Sequence, residues 1–156
     1  MEQKKVRWNP AVAMLVALAL LLGGCAGPSA PQFDDVTLNL QAAEAINDGV
    51  LLPIDIMAVN EIKADAVLAV APDLWFGNEQ REKLTPEEIQ KVAIRGGGKR
   101  QVTVRVPSLT GKIILYADYE NSNERAAQQI IISPLKGGFH EKYDILIQAN
   151  RLELKP

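Results

Sequence analysis

The chain has 156 residues, with 17 Lys plus Arg against 19 Asp plus Glu and a net charge of −2 when its one histidine is neutral. That balance argues against nucleic acid as a partner, because phosphate binding wants a basic face. One cysteine and one histidine cannot build a zinc site of the usual ligand count or a second-histidine or thiol-based dyad.

The chain opens MEQKKVRWNP, with Lys4, Lys5 and Arg7 against Glu2. An unbroken apolar run, Ala11 to Leu22, follows. A bilayer-spanning helix needs about 20 such residues. A shorter run with a basic front and small residues behind has the form of a secretory signal. An uncleaved anchor or a buried helix fits less well, since the run is too short for one and too uniformly apolar for the other. Leu22-Gly23-Gly24-Cys25 then resembles the bacterial lipobox. That resemblance implies cleavage before Cys25, a diacylglycerol on its sulfur and an acyl chain on its new amine. The lone cysteine is then a lipid attachment point. Several acyl chains anchor stably, each buried methylene contributing about 0.8 kcal/mol. No Asp follows the cysteine; the residue is Ala26. By the sorting rule for such lipoproteins, this favours the outer membrane, periplasmic side, in a Gram-negative cell.

The expected division is a signal peptide at 1–24, the lipidated Cys25 with its tether to residue 33, and a periplasmic domain at 34–156. Removing 1–24 takes away three cations and one acid and leaves the remainder more acidic. Ala26 to Gln32, AGPSAPQ, is small, Pro-containing and uncharged, and reads as the tether. Fully extended, it reaches at most about 23 Å.

From Asp35 the period becomes two. DVTLNLQ turns Val36, Leu38 and Leu40 one way and Thr37, Asn39 and Gln41 the other, as a half-buried strand does. LPIDIMAVN and EIQKVAIR are further strands. Between them, Ile62 to Glu82 is Ala-rich and then polar, and reads as one or two short helices divided at Pro72. QVTVRVP points Val102, Val104 and Val106 inward and ends at Pro107. GKIILYADYEN is apolar on both faces, which places it centrally in a sheet. QQIIISP and KYDILIQANRLEL complete the set; a phase change between Ala149 and Leu152 suggests a bulge. Turn residues separate these runs at Asn47-Asp48-Gly49, Arg95 to Gly98, Ser108 to Gly111 and Lys136 to Gly138. Seven short strands so punctuated predict a mainly β protein: a small two-sheet β-sandwich of the transthyretin/C2-like kind with a short helical insertion, behind a lipoprotein signal peptide.

Catalytic motifs are sparse. His140 lies in a turn, and Ser108, Ser122 and Ser133 lack the context of a nucleophile elbow, so a Ser/His/Asp triad is disfavoured. Glu79, Glu82, Glu87 and Glu88, interleaved with Arg81 and Lys83, read as a solvated helix face. Asp118, Glu120 and Glu124 show neither the cleft nor the separation that glycoside chemistry needs. They are also too sparse in oxygen ligands for a calcium loop. RGGGKR, Arg95 to Arg100, lacks P-loop spacing and is followed by a strand; a wide hairpin turn is expected. Trp75 and Phe76 are expected in the core, pinning the inserted helices, with a partner interface as the alternative.

The order of these features resembles the TssJ family of type VI secretion lipoproteins. The resemblance rests on VTLNLQAAEAINDG, Pro53-Ile54-Asp55-Ile56, the insert from Ala64 to Glu82, VAIRGGGKRQVTV and GKIILYADYEN, in order from about Val36 to Leu154. DIMAVNEI lacks the Arg and aromatic usual in the family's second strand, and Gly96-Gly97-Gly98 replaces its Pro-Gly turn. The resemblance implies a non-enzymatic role: an outer-membrane anchor that binds the periplasmic part of an inner-membrane TssM-type protein. It places part of that contact on the loop between the first two strands, Ala43 to Leu52, with Asn47, Asp48 and Gly49 at its tip. The same residues would also arise as a connection chosen for positive φ. No cofactor beyond the lipid on Cys25, no metal and no small-molecule substrate are expected. The alternative is a lipoprotein module that binds a small molecule or glycan or assembles another envelope machine.

Overall fold

The computed structural model describes residues 32–120 and 125–155. Eight strands are present among them: β1 (Phe33–Ala42), β2 (Leu52–Asn60), β3 (Ile89–Ile94), β4 (Lys99–Pro107), β5 (Gly111–Ala117), β6 (Gln129–Ile132), β7 (Lys142–Ile147) and β8 (Leu152–Leu154). They form two four-stranded sheets, ordered β4-β1-β7-β8 and β3-β2-β5-β6. This is the two-sheet sandwich expected from the period-two pattern.

Alternation sets the core. Val36, Leu38 and Leu40 of β1 and Val102, Val104 and Val106 of β4 are all buried, and they meet Ile54, Ile56, Ile113 and Leu115 from the facing sheet. Burying each such side chain contributes about 1.5–3 kcal/mol, and a one-residue slip would turn a whole strand's set outward. β1 pairs antiparallel with β4 and parallel with β7, so it is central in its sheet. β5 lies between β2 and β6, as its two apolar faces suggested.

β2 is buried on both sides for a separate reason. Leu52, Ile54, Ile56 and Ala58 enter the sandwich core, while Met57 and Val59 join a second cluster with Ala64, Val67, Trp75, Ile89, Ile114 and Tyr116. The insertion supplies this outer layer as three helices where one or two were expected: α1 (Glu61–Leu68), α2 (Pro72–Trp75) and α3 (Glu79–Glu82). Each start has a local cause. Asn60 caps α1 by accepting the Lys63 N–H at 3.0 Å. Pro72 opens α2, where its fixed φ suits the first helical position. Asn78 caps α3 by accepting the Gln80 N–H at 2.9 Å; that cap, and the Gly77 before it, divide a stretch otherwise suited to continuous helix.

Two other expectations are corrected. The phase change near Ala149 is a hairpin and not a bulge. Gln148 N–H donates to Arg151 O at 2.9 Å, and Ile147 faces Leu152 across β7 and β8. The two residues Ala149-Asn150 reverse the chain, which a bulge does not. RGGGKR likewise does not close a hairpin, because β3 and β4 belong to different sheets. It is a corner held against the chain after β1: Ala42 N–H donates to Gly98 O at 2.9 Å and Gly97 N–H to Ala43 O at 2.8 Å. The approach is so close that a Cβ on Gly96 would lie 2.0 Å from Glu44 O.

Candidate partner-binding site

Four connections gather at one end of the sandwich: those after β1, β3, β5 and β7. Asn47 links three of them. Its N–H donates to Ala149 O at 2.9 Å, and its Oδ1 accepts the Glu120 N–H at 2.9 Å. Asn47, Asp48 and Gly49 have φ of 45°, 50° and 82°, three successive residues in the left-handed region. Gly adopts this region freely and Asn and Asp adopt it more readily than most residues, which is the physical content of the NDG triplet. Gly49 N–H closes on Ile46 O, and Val50 N–H on Asn47 O.

The sequence placed Asn47, Asp48 and Gly49 together at a loop tip. In the fold Asp48 and Gly49 are exposed, whereas Asn47 is 4% exposed and acts from inside. Its Nδ2 is buried with no hydrogen-bond acceptor among the described residues. Asn47 and Asp48 line a cavity of about 250 Å³ with Tyr119, Ala149 and Asn150. Tyr119 holds its far wall: its hydroxyl lies 2.8 Å from Arg151 O and 3.2 Å from Gln148 O, and burial raises its phenol pKa well above the usual value. Beyond Gly49 the chain presents Val50 and Leu51 side by side, each 44% exposed. Together they form an apolar lip beside a buried amide. Cys25, the expected lipidation site, lies outside the described residues.

Sequence reading missed a second polar cluster, under the insertion. Asp55, on the outer face of β2, is 1% exposed. Trp75 Nε1–H donates to its Oδ2 at 2.8 Å, and Arg81 donates through Nε at 2.6 Å and Nη2 at 3.2 Å. Arg81 therefore does not belong to the solvated face assigned to α3; the buried carboxylate draws it inward. The hydrogen bond to Asp55 raises the Arg81 pKa, against the effect of burial. Asp118 lies close enough to feel both charges. Partial desolvation raises its carboxyl pKa, Arg81 opposes that rise and Asp55 adds to it. Trp75 packs edge-to-face on Tyr116 at 5.3 Å and is fully buried, while Phe76 is half-buried under the Arg81 guanidinium. Trp75 is thus core. The available signal was an aspartate within the apolar run LPIDIMAVN, which requires a buried cationic or N–H partner. His140 is exposed, with its ring edge-to-face on Tyr143 at 5.7 Å, and no hydrogen bond joins that ring to a serine or an acid among the described residues.

The fold defines a class: a two-sheet sandwich of eight strands that carries a helical layer on the outside of one sheet. Solved structures that share this fold include several from type VI secretion. A chain of the "Type VI membrane complex" superposes with a TM-score of 0.64 at 15% identity, covering 80% of this chain and 100% of that one. The T6SS lipoprotein TssJ1 from Pseudomonas aeruginosa gives 0.60 at 18% identity, covering 81% and 98%. A chain of the structure described as "T6SS protein TssM C-terminal domain (869-1107) from EAEC" gives 0.60 at 14% identity, covering 78% and 98%. At these identities the likeness is one of fold. No protein-family model matches the chain, and no curated protein matches it in sequence.

Proposed function

We propose that the protein is an outer-membrane lipoprotein, anchored through Cys25, whose domain binds the periplasmic part of an inner-membrane TssM-type protein. It thereby tethers a type VI-like secretion complex to the outer membrane. The role is structural, without catalysis. The observation that carries the reading is the Asn47 end: a buried amide with donors unspent, lining a small cavity, beside the exposed Val50-Leu51 pair. An unmade buried hydrogen bond is costly, so an acceptor supplied by a partner would gain what the free protein lacks. Val50 and Leu51 would give apolar area around it. The fold shared with TssJ1 and with a chain of the membrane complex supports the choice of partner class.

The test is calorimetric titration of the protein with the purified periplasmic part of the TssM-type protein from the same organism. Asn47→Gly keeps the left-handed backbone and removes the amide. It is expected to weaken binding about 10- to 100-fold, the equivalent of one buried hydrogen-bonding group. Val50→Asp is expected to weaken it comparably. No binding by folded parent protein, or binding by both variants as tight as the parent's, would overturn the proposal.

A further inference from the structure

The opposite end of the sandwich has its own character. Gln32 enters β1 there, with its carbonyl accepting the Ser108 N–H at 3.0 Å. Asp34 ties the neighbouring loops to this entry point. Its Oδ1 accepts from the Ser108 hydroxyl at 2.8 Å, and its Oδ2 accepts the Phe139 N–H at 2.9 Å. A rim is thus fixed around the place where the chain enters the domain. Four large apolar side chains project from that rim: Phe33 at 45% exposure, Ile62 at 83%, Leu109 at 66% and Leu135 at 56%. Phe33 is held by stacking under Arg105, 5.2 Å from its ring centre.

We infer that this rim is a membrane-contact face, and that Phe33, Ile62, Leu109 and Leu135 sit in the headgroup region of the bilayer that holds the lipid on Cys25. The inference rests on the proposed anchor. The occupant follows from chain length: residues 26–32 extend to at most about 23 Å, and they lead to this end alone. The rim therefore stays within about 23 Å of the bilayer surface whenever the anchor is inserted, and the Asn47 loop lies beyond the far end of β1. Apolar side chains held so close to a membrane partition into its interface. Charge does not drive the contact, because Glu87 and Glu88 line one pocket with Arg105 and Phe33, and Lys112 pairs with Asp65 at 3.9 Å. Affinity for zwitterionic and anionic lipid should then be alike and nearly independent of salt.

The sole cysteine becomes a thioether on lipidation, so a cysteine introduced elsewhere can be labelled uniquely. The full chain, lipidated in cells and reconstituted in phosphatidylcholine vesicles, carries a nitroxide at Ile62→Cys, Leu109→Cys or, as reference, Leu51→Cys. All three positions are exposed, so the label perturbs no core contact. Power saturation is expected to show severalfold lower collision with a water-soluble nickel complex at 62 and 109 than at 51, with higher collision with oxygen. Equal nickel access at all three positions in acylated, vesicle-bound protein overturns the membrane face and leaves the anchor standing. Shielding that disappears on dilution with unlabelled protein overturns it in favour of contact between copies. Absence of acyl mass on Cys25 overturns anchor and membrane face together.

Discussion

Arg81→Ala tests whether the Asp55 cluster holds the helical layer on the sheet. Removing one partner of a buried ion pair costs about 3–5 kcal/mol, because the other charge is left without compensation. The Arg81 side chain keeps 20% of its exposure and the Asp55 side chain 1%. Water can thus reach part of the vacated space, and the lower figure applies, about 3 kcal/mol. At about 4 °C per kcal/mol for a domain of this size, Tm falls by about 12 °C. Arg81→Lys recovers only part, since an ammonium cannot reproduce the two-nitrogen contact. The informative variant is the pair Asp55→Asn with Arg81→Met. Asparagine keeps an oxygen for the Trp75 N–H, the buried charge is gone, and Met refills the stem of Arg81. It should lie within about 1 kcal/mol of the parent. Thermal melts followed by the near-ultraviolet dichroism of Trp75 read these proteins together with the two single variants Asp55→Asn and Arg81→Met. A shift under about 2 °C for Arg81→Ala would refute the reasoning. So would a double variant that merely sums the two single losses.

Three further outcomes are expected. Gly96→Ala should destabilise by about 2–3 kcal/mol, since its Cβ would strike Glu44 O at 2.0 Å, whereas Gly77→Ala, with open space around it, should be nearly neutral; urea midpoints compare them. Gly49→Ala should cost about 1 kcal/mol through its φ of 82° alone, because nothing lies near the added Cβ. For Asp118 the folded pKa is raised, so the folded state holds the proton more tightly and stability falls as pH rises from about 4 through the raised value. Asp118→Asn should lack that fall and gain on the parent as pH rises above about 4 in a series of melts.

The strands were legible because each carries a period of two against a single core. β1 and β4 show it cleanly: one face is valine and leucine, the other Thr, Asn, Gln and Arg. Which strands share a sheet was not legible. The glycines of RGGGKR announce a reversal equally well for a hairpin and for a corner between sheets. The choice is made by backbone contact with Ala43 and Glu44, about fifty residues earlier. Arg81 was misplaced for a related reason. Its neighbours in α3 are solvated, and only the burial of Asp55 under Trp75 turns one side chain of that helix inward. The NDG loop was found by its turn chemistry, but that chemistry does not reveal that Asn47 points in while Asp48 and Gly49 point out. That follows from Glu120 and Ala149, which arrive from two later connections.

The two proposed attachment points of the domain lie at the two ends of one strand. Gln32 leads into β1 and the NDG loop leaves it, with ten residues spanning about 30 Å between them. A pull between the lipid and a protein held at Asn47 would run along β1. Its rungs to β4, from Phe33 to Gln41, and to β7, from Thr37 to Ala42, lie across that line on both sides. The covalent backbone of β1 would carry that load, and the rungs on both sides would hold the strand in place in its sheet. The placement of the first strand in the middle of its sheet would therefore let the domain bear tension between the proposed anchor and the proposed partner.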